Sequence, residues 1–263
     1  MVICCLIAFK ADAQVNIADT AKKVNLGDTV KKDLLTAPDT VRRLHSKAWT
    51  LVPPAGLIAY GALSFQVHPI RQLDFVIHNA ITRQDGDFST KAESYFEFAP
   101  IAMVYGLNLV GIEGKNRFID RTAILGLTAI FAGISTTIVK HATHRLRPNG
   151  TDYYSFPSAH TTAAFAGAEF LAQEYSDQSP WISAAGYTIA AATGVFRLYN
   201  RDHWFSDVVA GAGFGILSTK AAYLVYPWIR NQITHGDKKA KRNSMLMPSY
   251  QDGAWGMSYA AEF

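Results

Sequence analysis

The chain has 263 residues, enough to bury a core in one large domain, and only 17% of them are charged, below the roughly one quarter usual for soluble domains. Its net charge of +4 and pI near 9.0 suit an anionic substrate or an anionic membrane surface. They are too weak to indicate nucleic-acid binding, and no basic stripe interleaves with aromatics. The only cysteines, Cys4 and Cys5, stand at the very start, which excludes disulfides and a thiolate metal centre from the rest of the chain.

In chain order, residues 2–9 (VICCLIAF) are an apolar run followed by Ala11-Asp12-Ala13. The small-x-small pattern predicts a signal peptide over 1–13, although no positive segment precedes the run. A polar arm follows over 14–47, carrying Lys22-Lys23, Lys31-Lys32 and Arg42-Arg43. Six apolar segments come next, roughly over 48–65, 95–112, 121–139, 159–173, 181–196 and 207–229. Residues 122–139 contain no charge at all, and 207–229 contain only Asp207 and Lys220. A membrane span needs about 17 to 25 mostly apolar residues, which two or three of these segments reach. Their Gly, Ala, Ser and Thr content suits close helix packing in lipid. An amphipathic stretch around Leu73, Phe75, Val76 and Ile77 separates the first two.

The predicted fold is therefore all-α: a membrane-embedded bundle of about six core helices over 48–230, the alternative being a soluble helical bundle. A basic C-terminal tail occupies 231–263. Within it Trp255, Met257, Tyr259, Ala261 and Phe263 alternate with other residues, which reads as a short strand.

The chemistry collects at segment ends. The third segment closes on Lys140 and is followed by His141, His144, Arg145, Arg147 and Pro148. The fourth opens after Pro157-Ser158-Ala159-His160, the fifth closes on Arg197, and the sixth opens near Asp207, just after His203. In an up-down bundle these four ends share one rim. Cations beside helix N-termini form a site for phosphate, whose oxygens guanidinium forks match in pairs. His203 and Asp207 fall on one helical face, where a carboxylate can fix one imidazole nitrogen and leave the other as nucleophile or base. His160 can protonate a leaving oxygen. His141 and His144 lack a suitably spaced acid or thiol partner and are assigned to the surface.

These blocks, KHATHRLRP (Lys140 to Pro148), PSAH (Pro157 to His160) and FRLYNRDHWFSD (Phe196 to Asp207), resemble the three motifs of the type 2 phosphatidic acid phosphatase superfamily. That superfamily takes in lipid phosphate phosphatases, class A acid phosphatases and vanadium haloperoxidases. The resemblance, with its helices, extends over about residues 48–229. It implies a metal-independent phosphatase without cofactor. In it His203 would form a phosphohistidine, Asp207 would orient it, and His160 would protonate the leaving alkoxide. Lys140, Arg147, Ser158, the Ala159 backbone N–H and Arg197 would hold the phosphoryl oxygens. Ala159 replaces the usual Gly and Phe196 the usual Ser. Arg145, at a variable position of the first block, is expected to matter less than His203 or His160.

The resemblance allows phosphatidic acid, phosphatidylglycerol phosphate, undecaprenyl pyrophosphate or lipid A as substrate, or a small phosphomonoester in a soluble periplasmic enzyme. A vanadate-dependent peroxidase and a non-catalytic anion-binding membrane protein are further readings. The basic link at Lys115, Arg117 and Arg121 favours the cytoplasm, so the rim is expected to face the periplasm from a bacterial inner membrane; a periplasmic or outer-membrane-associated protein is the alternative.

Overall fold

The computed structural model describes residues 48–85, 88–235, 244–251 and 254–261. The expected signal peptide, the polar arm and the basic run from Lys238 to Arg242 lie outside them. Among the described residues a 3-10 turn at Ala48–Leu51 leads into eight α-helices: α1 (Val52–Leu63), α2 (His68–Asp85), α3 (Glu93–Phe96), α4 (Ala99–Leu109), α5 (Phe118–Thr143), α6 (Ala159–Tyr175), α7 (Pro180–Tyr199) and α8 (Phe205–His235). Two strands follow, β1 (Ser244–Gln251) and β2 (Ala254–Ala261), paired antiparallel with Ser244 opposite Ala261. The period-two pattern of the tail is realised as β2.

Local chemistry sets the helix ends. Pro53 and Pro54 lie in the first turn of α1, where their missing N–H groups remove no helical bond. At its other end the Ser64 hydroxyl donates to the Gly61 carbonyl at 2.6 Å, and α2 leaves at an 86° bend. His144 closes α5 in the left-handed region at φ 44°, turning the chain off the helix axis directly after Lys140. Ser158 caps α6, its hydroxyl accepting from the Thr161 N–H at 3.4 Å. Ser179 caps α7 in the same way, with Pro180 in the first helical turn.

α6 is the centre of the bundle, packed against α7 on one side and α8 on another, while α1 and α5 also pack on α8. Glycines on α8 make this approach possible. A Cβ at Gly215 would stand 2.4 Å from the Thr162 carbonyl oxygen, and one at Gly211 would stand 2.7 Å from that of Ser158. Gly213, on the opposite face, admits α1, where a Cβ would lie 2.5 Å from the Pro54 oxygen. Backbones that approach this closely gain dispersion contacts where no hydrophobic drive separates helix from lipid.

Helix α5 and the first 26 residues of α8 are long and apolar enough to cross a membrane. At about 1.5 Å per residue each spans roughly 39 Å, more than the ~30 Å hydrocarbon core. Ile130, Ile134 and Ile138 form a stripe along α5 and are 52, 55 and 62% exposed. Such a stripe is unfavourable in water and at home against acyl chains. The bundle is membrane-embedded in character, as the length of its apolar segments implied.

Candidate active site

All four predicted helix ends meet at one rim. Lys140 is in the last turn of α5, Ser158 and His160 are at the start of α6, Arg197 is in the last turn of α7, and Asp207 is in the first turn of α8. His203 lies in the loop between α7 and α8 and is 3% exposed.

The contacts of His203 differ from the simple dyad that its spacing suggested. Its Nδ1 lies 2.7 Å from the Ser155 carbonyl and 3.8 Å from Asp207 Oδ2. The carbonyl takes the N–H, and the carboxylate acts on the ring through charge. A carbonyl accepts only, so this contact places the proton on Nδ1 and leaves Nε2 with its lone pair. Asp207 reaches the ring through Ser155 as well, because the Ser155 hydroxyl donates to its Oδ2. The Trp204 N–H also donates to Oδ2, at 2.9 Å, and the Ser158 N–H donates to the Asp207 carbonyl at 3.1 Å. Burial holds the His203 imidazole below the ordinary histidine range, with Arg197 and Lys140 pushing the same way and Asp207 opposing. Both cations therefore lie within electrostatic reach of the ring.

The cations are tethered rather than loose. Lys140 Nζ donates to the Tyr154 carbonyl at 2.5 Å. Arg147 Nε donates to Asp152 Oδ1 at 2.8 Å. Arg197 Nη1 donates to Glu93 Oε1 at 3.0 Å and lies 2.8 Å from Asp202 Oδ2. Its Nε is buried and unpaired, as is Glu93 Oε2. An unpaired donor on a side chain only 6% exposed is a group that a bound oxyanion would satisfy.

His160 Nε2 lies 3.9 Å from Glu97 Oε1. Burial, then Arg197 and His203, push the His160 imidazole down to about 4. Burial pushes the Glu97 carboxyl up to about 7, Arg197 opposing and Glu93 adding to the rise. Near neutral pH His160 is therefore a neutral imidazole. A phosphate dianion beside it would draw a proton onto the ring.

The two departures from the motif pattern have clear surroundings. Among the described residues only His144 and Arg201 combine a side chain with positive φ, so Ala159 keeps its helical backbone and its N–H. Phe196 turns its ring to Phe96 of α3, centroids 5.7 Å apart, and fills space that a serine would leave. His141 and His144 are exposed, with their rings against Tyr154. Sequence reasoning missed Ser155, Asp152, Asp202, Glu93, Glu97 and Asp74. Each lies outside the helix-end pattern and carries no spacing signal of its own.

Residues 121–231 match the family model described as the PAP2 superfamily, a stretch that contains all three blocks. The chain is 34% identical over 217 residues to the lipid A 1-phosphatase of Porphyromonas gingivalis, covering 80% of this chain and 46% of that protein. It spans about half the length of the curated relatives it matches. Among solved structures, Aquifex aeolicus LpxE matches 55% of this chain and 92% of its own at 18% identity and a TM-score of 0.42. A PAP2-type phosphatidylglycerolphosphate phosphatase from Bacillus subtilis matches 73% of this chain and 98% of its own, at 17% identity and a TM-score of 0.46. With the three blocks at one rim, departing from the family pattern at Ala159 and Phe196, and a family model matching across them, residues 121–231 belong to the PAP2 superfamily.

Proposed function

We propose that this protein is a phosphatase acting on a phosphate group of a membrane lipid through a phosphohistidine. The observation that carries this reading is His203: a buried imidazole with its Nδ1 proton held by the Ser155 carbonyl, within electrostatic reach of Arg197 and Lys140. Nε2 of His203 attacks phosphorus as the bond to the leaving oxygen breaks, and protonated His160 gives its proton to that oxygen. Water then attacks the phosphohistidine, His160 takes the water proton, and inorganic phosphate leaves with His203 restored. Lys140, Arg147, Arg197, the Ser158 side chain and the Ala159 N–H hold the equatorial oxygens, where negative charge is greatest. Asp207 fixes the loop that presents His203.

A lipid substrate is supported by the apolar stripe of α5, which sets the bundle in a bilayer and the rim near head-group level. Among lipid phosphates, the 1-phosphate of lipid A is favoured by the Porphyromonas gingivalis relative. The inner membrane, with the rim facing the periplasm, is the location we favour, because the link with Lys115 and Arg117 joins α4 to α5 at the opposite end.

The test is phosphate release by purified protein, with EDTA present, from lipid A, phosphatidic acid, phosphatidylglycerol phosphate, undecaprenyl pyrophosphate and p-nitrophenyl phosphate. Selective turnover of lipid A supports the full reading. Turnover of p-nitrophenyl phosphate alone refutes the lipid assignment, and no turnover without added metal refutes the mechanism. For orientation, a cysteine at Asn149 should react with an impermeant label in intact spheroplasts; no labelling there refutes the outward rim.

A further inference from the structure

Asp207 is held on its far side by a group that the phosphate clamp does not use. Its Oδ1 accepts from Arg145 Nη1 at 2.6 Å. The other nitrogen of the same fork, Nη2, donates to Asp74 Oδ2 at 2.6 Å. Asp74 belongs to α2, the helix beyond the 86° bend. It also accepts from Ser206, from the N–H at 2.8 Å and the hydroxyl at 2.7 Å. Arg145 Nη1 donates to the Ser206 hydroxyl at 2.7 Å and reaches the Ser64 hydroxyl at 3.3 Å. The guanidinium faces Phe65 at 5.1 Å and Trp204 at 5.7 Å. It is thus fixed in its plane by two carboxylates and across its plane by two rings.

We propose that Asp74 and Arg145 are positioning residues for the nucleophile, so that docking of α2 onto the start of α8 is part of the active site. The inference rests on the phosphohistidine reading above. The contacts form one line: Asp74 to Arg145, Arg145 to Asp207, Asp207 to the Ser155 hydroxyl, and the Ser155 carbonyl to His203 Nδ1. Asp74 is 1% exposed and Asp207 is fully buried, and the cation between them pairs with both. Without it, two buried carboxylates face each other uncompensated, and Asp207 must take a proton or move. A protonated Asp207 loses acceptor capacity for Ser155 or Trp204, and the Ser155 carbonyl that sets the His203 tautomer shifts with it. Lysine cannot substitute, because one ammonium does not bridge two carboxylates with a planar fork. None of this touches Lys140, Arg147 or Arg197, so phosphate binding should survive.

The test uses the full chain, purified in detergent, with R145K, R145A, D74A and D74N assayed on p-nitrophenyl phosphate and on the preferred lipid. We expect kcat to fall about 10- to 100-fold in each, as for other groups that orient a catalytic residue. KM should stay within about threefold, because the clamp is intact. Millimolar guanidinium should recover part of the kcat of R145A. Wild-type kcat in folded R145A and D74A overturns the proposal. So does a loss in R145A that raises KM in step with the fall in kcat and is not relieved by guanidinium, which marks a structural role. If R145A does not fold, D74N carries the same kcat-against-KM test with side-chain size kept. H203A separates the two levels. An active H203A sinks the phosphohistidine reading itself, whereas an inactive H203A beside fully active Arg145 and Asp74 variants sinks only this inference.

Discussion

At the rim, Lys140, Arg147 and His160 keep partial exposure and take their contacts from loops, while at the opposite end Arg121, Glu174, Asp120, Glu169 and Lys220 are 7% exposed or less and held between helices. The two ends lie about 28 Å apart along α5, taking Arg121 to Lys140 at ~1.5 Å per residue. Far from the rim the charges close on each other. Arg121 Nε lies 3.3 Å from Glu174, which also accepts from the Asn116 side chain at 2.7 Å and the Tyr223 hydroxyl at 2.5 Å. Lys220 pairs with Glu169 at 2.9 Å, and Asp120 takes Tyr226 at 2.5 Å and Arg230 at 3.0 Å. Buried charge inside a membrane bundle survives either by pairing or by serving a ligand. The opposite end shows the first solution. Arg197 Nε at the rim and Arg121 Nε and Nη1 at the opposite end are all buried without a hydrogen-bond partner, so the difference lies in exposure: only the rim sets such a donor among partly exposed side chains, Lys140, Arg147 and His160, where a ligand can reach it.

The largest effect expected from this contrast is at His203. H203A should lose phosphate release by about 10⁴-fold or more while its melting temperature stays near that of the wild type. Retention of a tenth of the activity would break the assignment of function to the rim. At the other end, E174A should act in the reverse sense. It leaves Arg121 buried without its carboxylate and should cost about 3–5 kcal/mol of stability in denaturant unfolding. The kcat of the folded fraction should stay within about twofold. A loss of kcat at unchanged stability would mean that the two ends are not separable.

A smaller effect sharpens the electrostatics. His160 is held down to about 4, below its ordinary value, so near neutral pH the neutral form is the stable one. Its contribution to stability is complete above the ordinary histidine value and is lost as pH falls towards about 4. At pH 6 His160 is therefore neutral, while Glu97, pushed up to about 7, already carries its proton. Binding of sulfate, a dianion that does not titrate there, should take up a proton onto His160. Calorimetry in buffers of different ionisation enthalpy reads this directly, and H160Q should abolish it. Sulfate binding without proton uptake in the wild type would remove the electrostatic basis for His160 as the acid. The smallest effect belongs to Phe196. F196S exchanges a ring packed on Phe96 for a hydroxyl and should alter kcat/KM by less than about tenfold. A larger gain would show that the rim is short of one phosphate contact.

Much of the rim was legible before any coordinates, because helix ends and chain order are one-dimensional properties. Lys140, Ser158, Arg197 and Asp207 mark the ends of apolar runs, and alternate ends of an up-down bundle must share a side. Ser155 was not legible. It acts through its carbonyl as well as its hydroxyl, and any residue type has a carbonyl. Asp74 was not legible either, since a lone acid on an amphipathic helix is ordinarily a solvated one. Only the bend between α1 and α2 turns it inward onto Ser206 and Arg145. Arg145 was expected to matter less than His203 or His160, because it is not one of the block's fixed positions. Its contacts with Asp74 and Asp207, each more than 60 positions away in the chain, could not be read from the block.

The sequence by itself determined the helical class, the apolar spans and which side chains gather at the rim. Hydrophobic periodicity, segment length and the spacing of the three blocks are local, and local patterns survive in one dimension. Tertiary structure decided how those side chains are held. It set which acceptor takes the His203 proton, which acids tether Arg147 and Arg197, and how α2 reaches Asp207 through Arg145. Those are contacts between distant segments, and they depend on helices brought close by glycines such as Gly211 and Gly215, whose effect appears only when a second backbone lies against them.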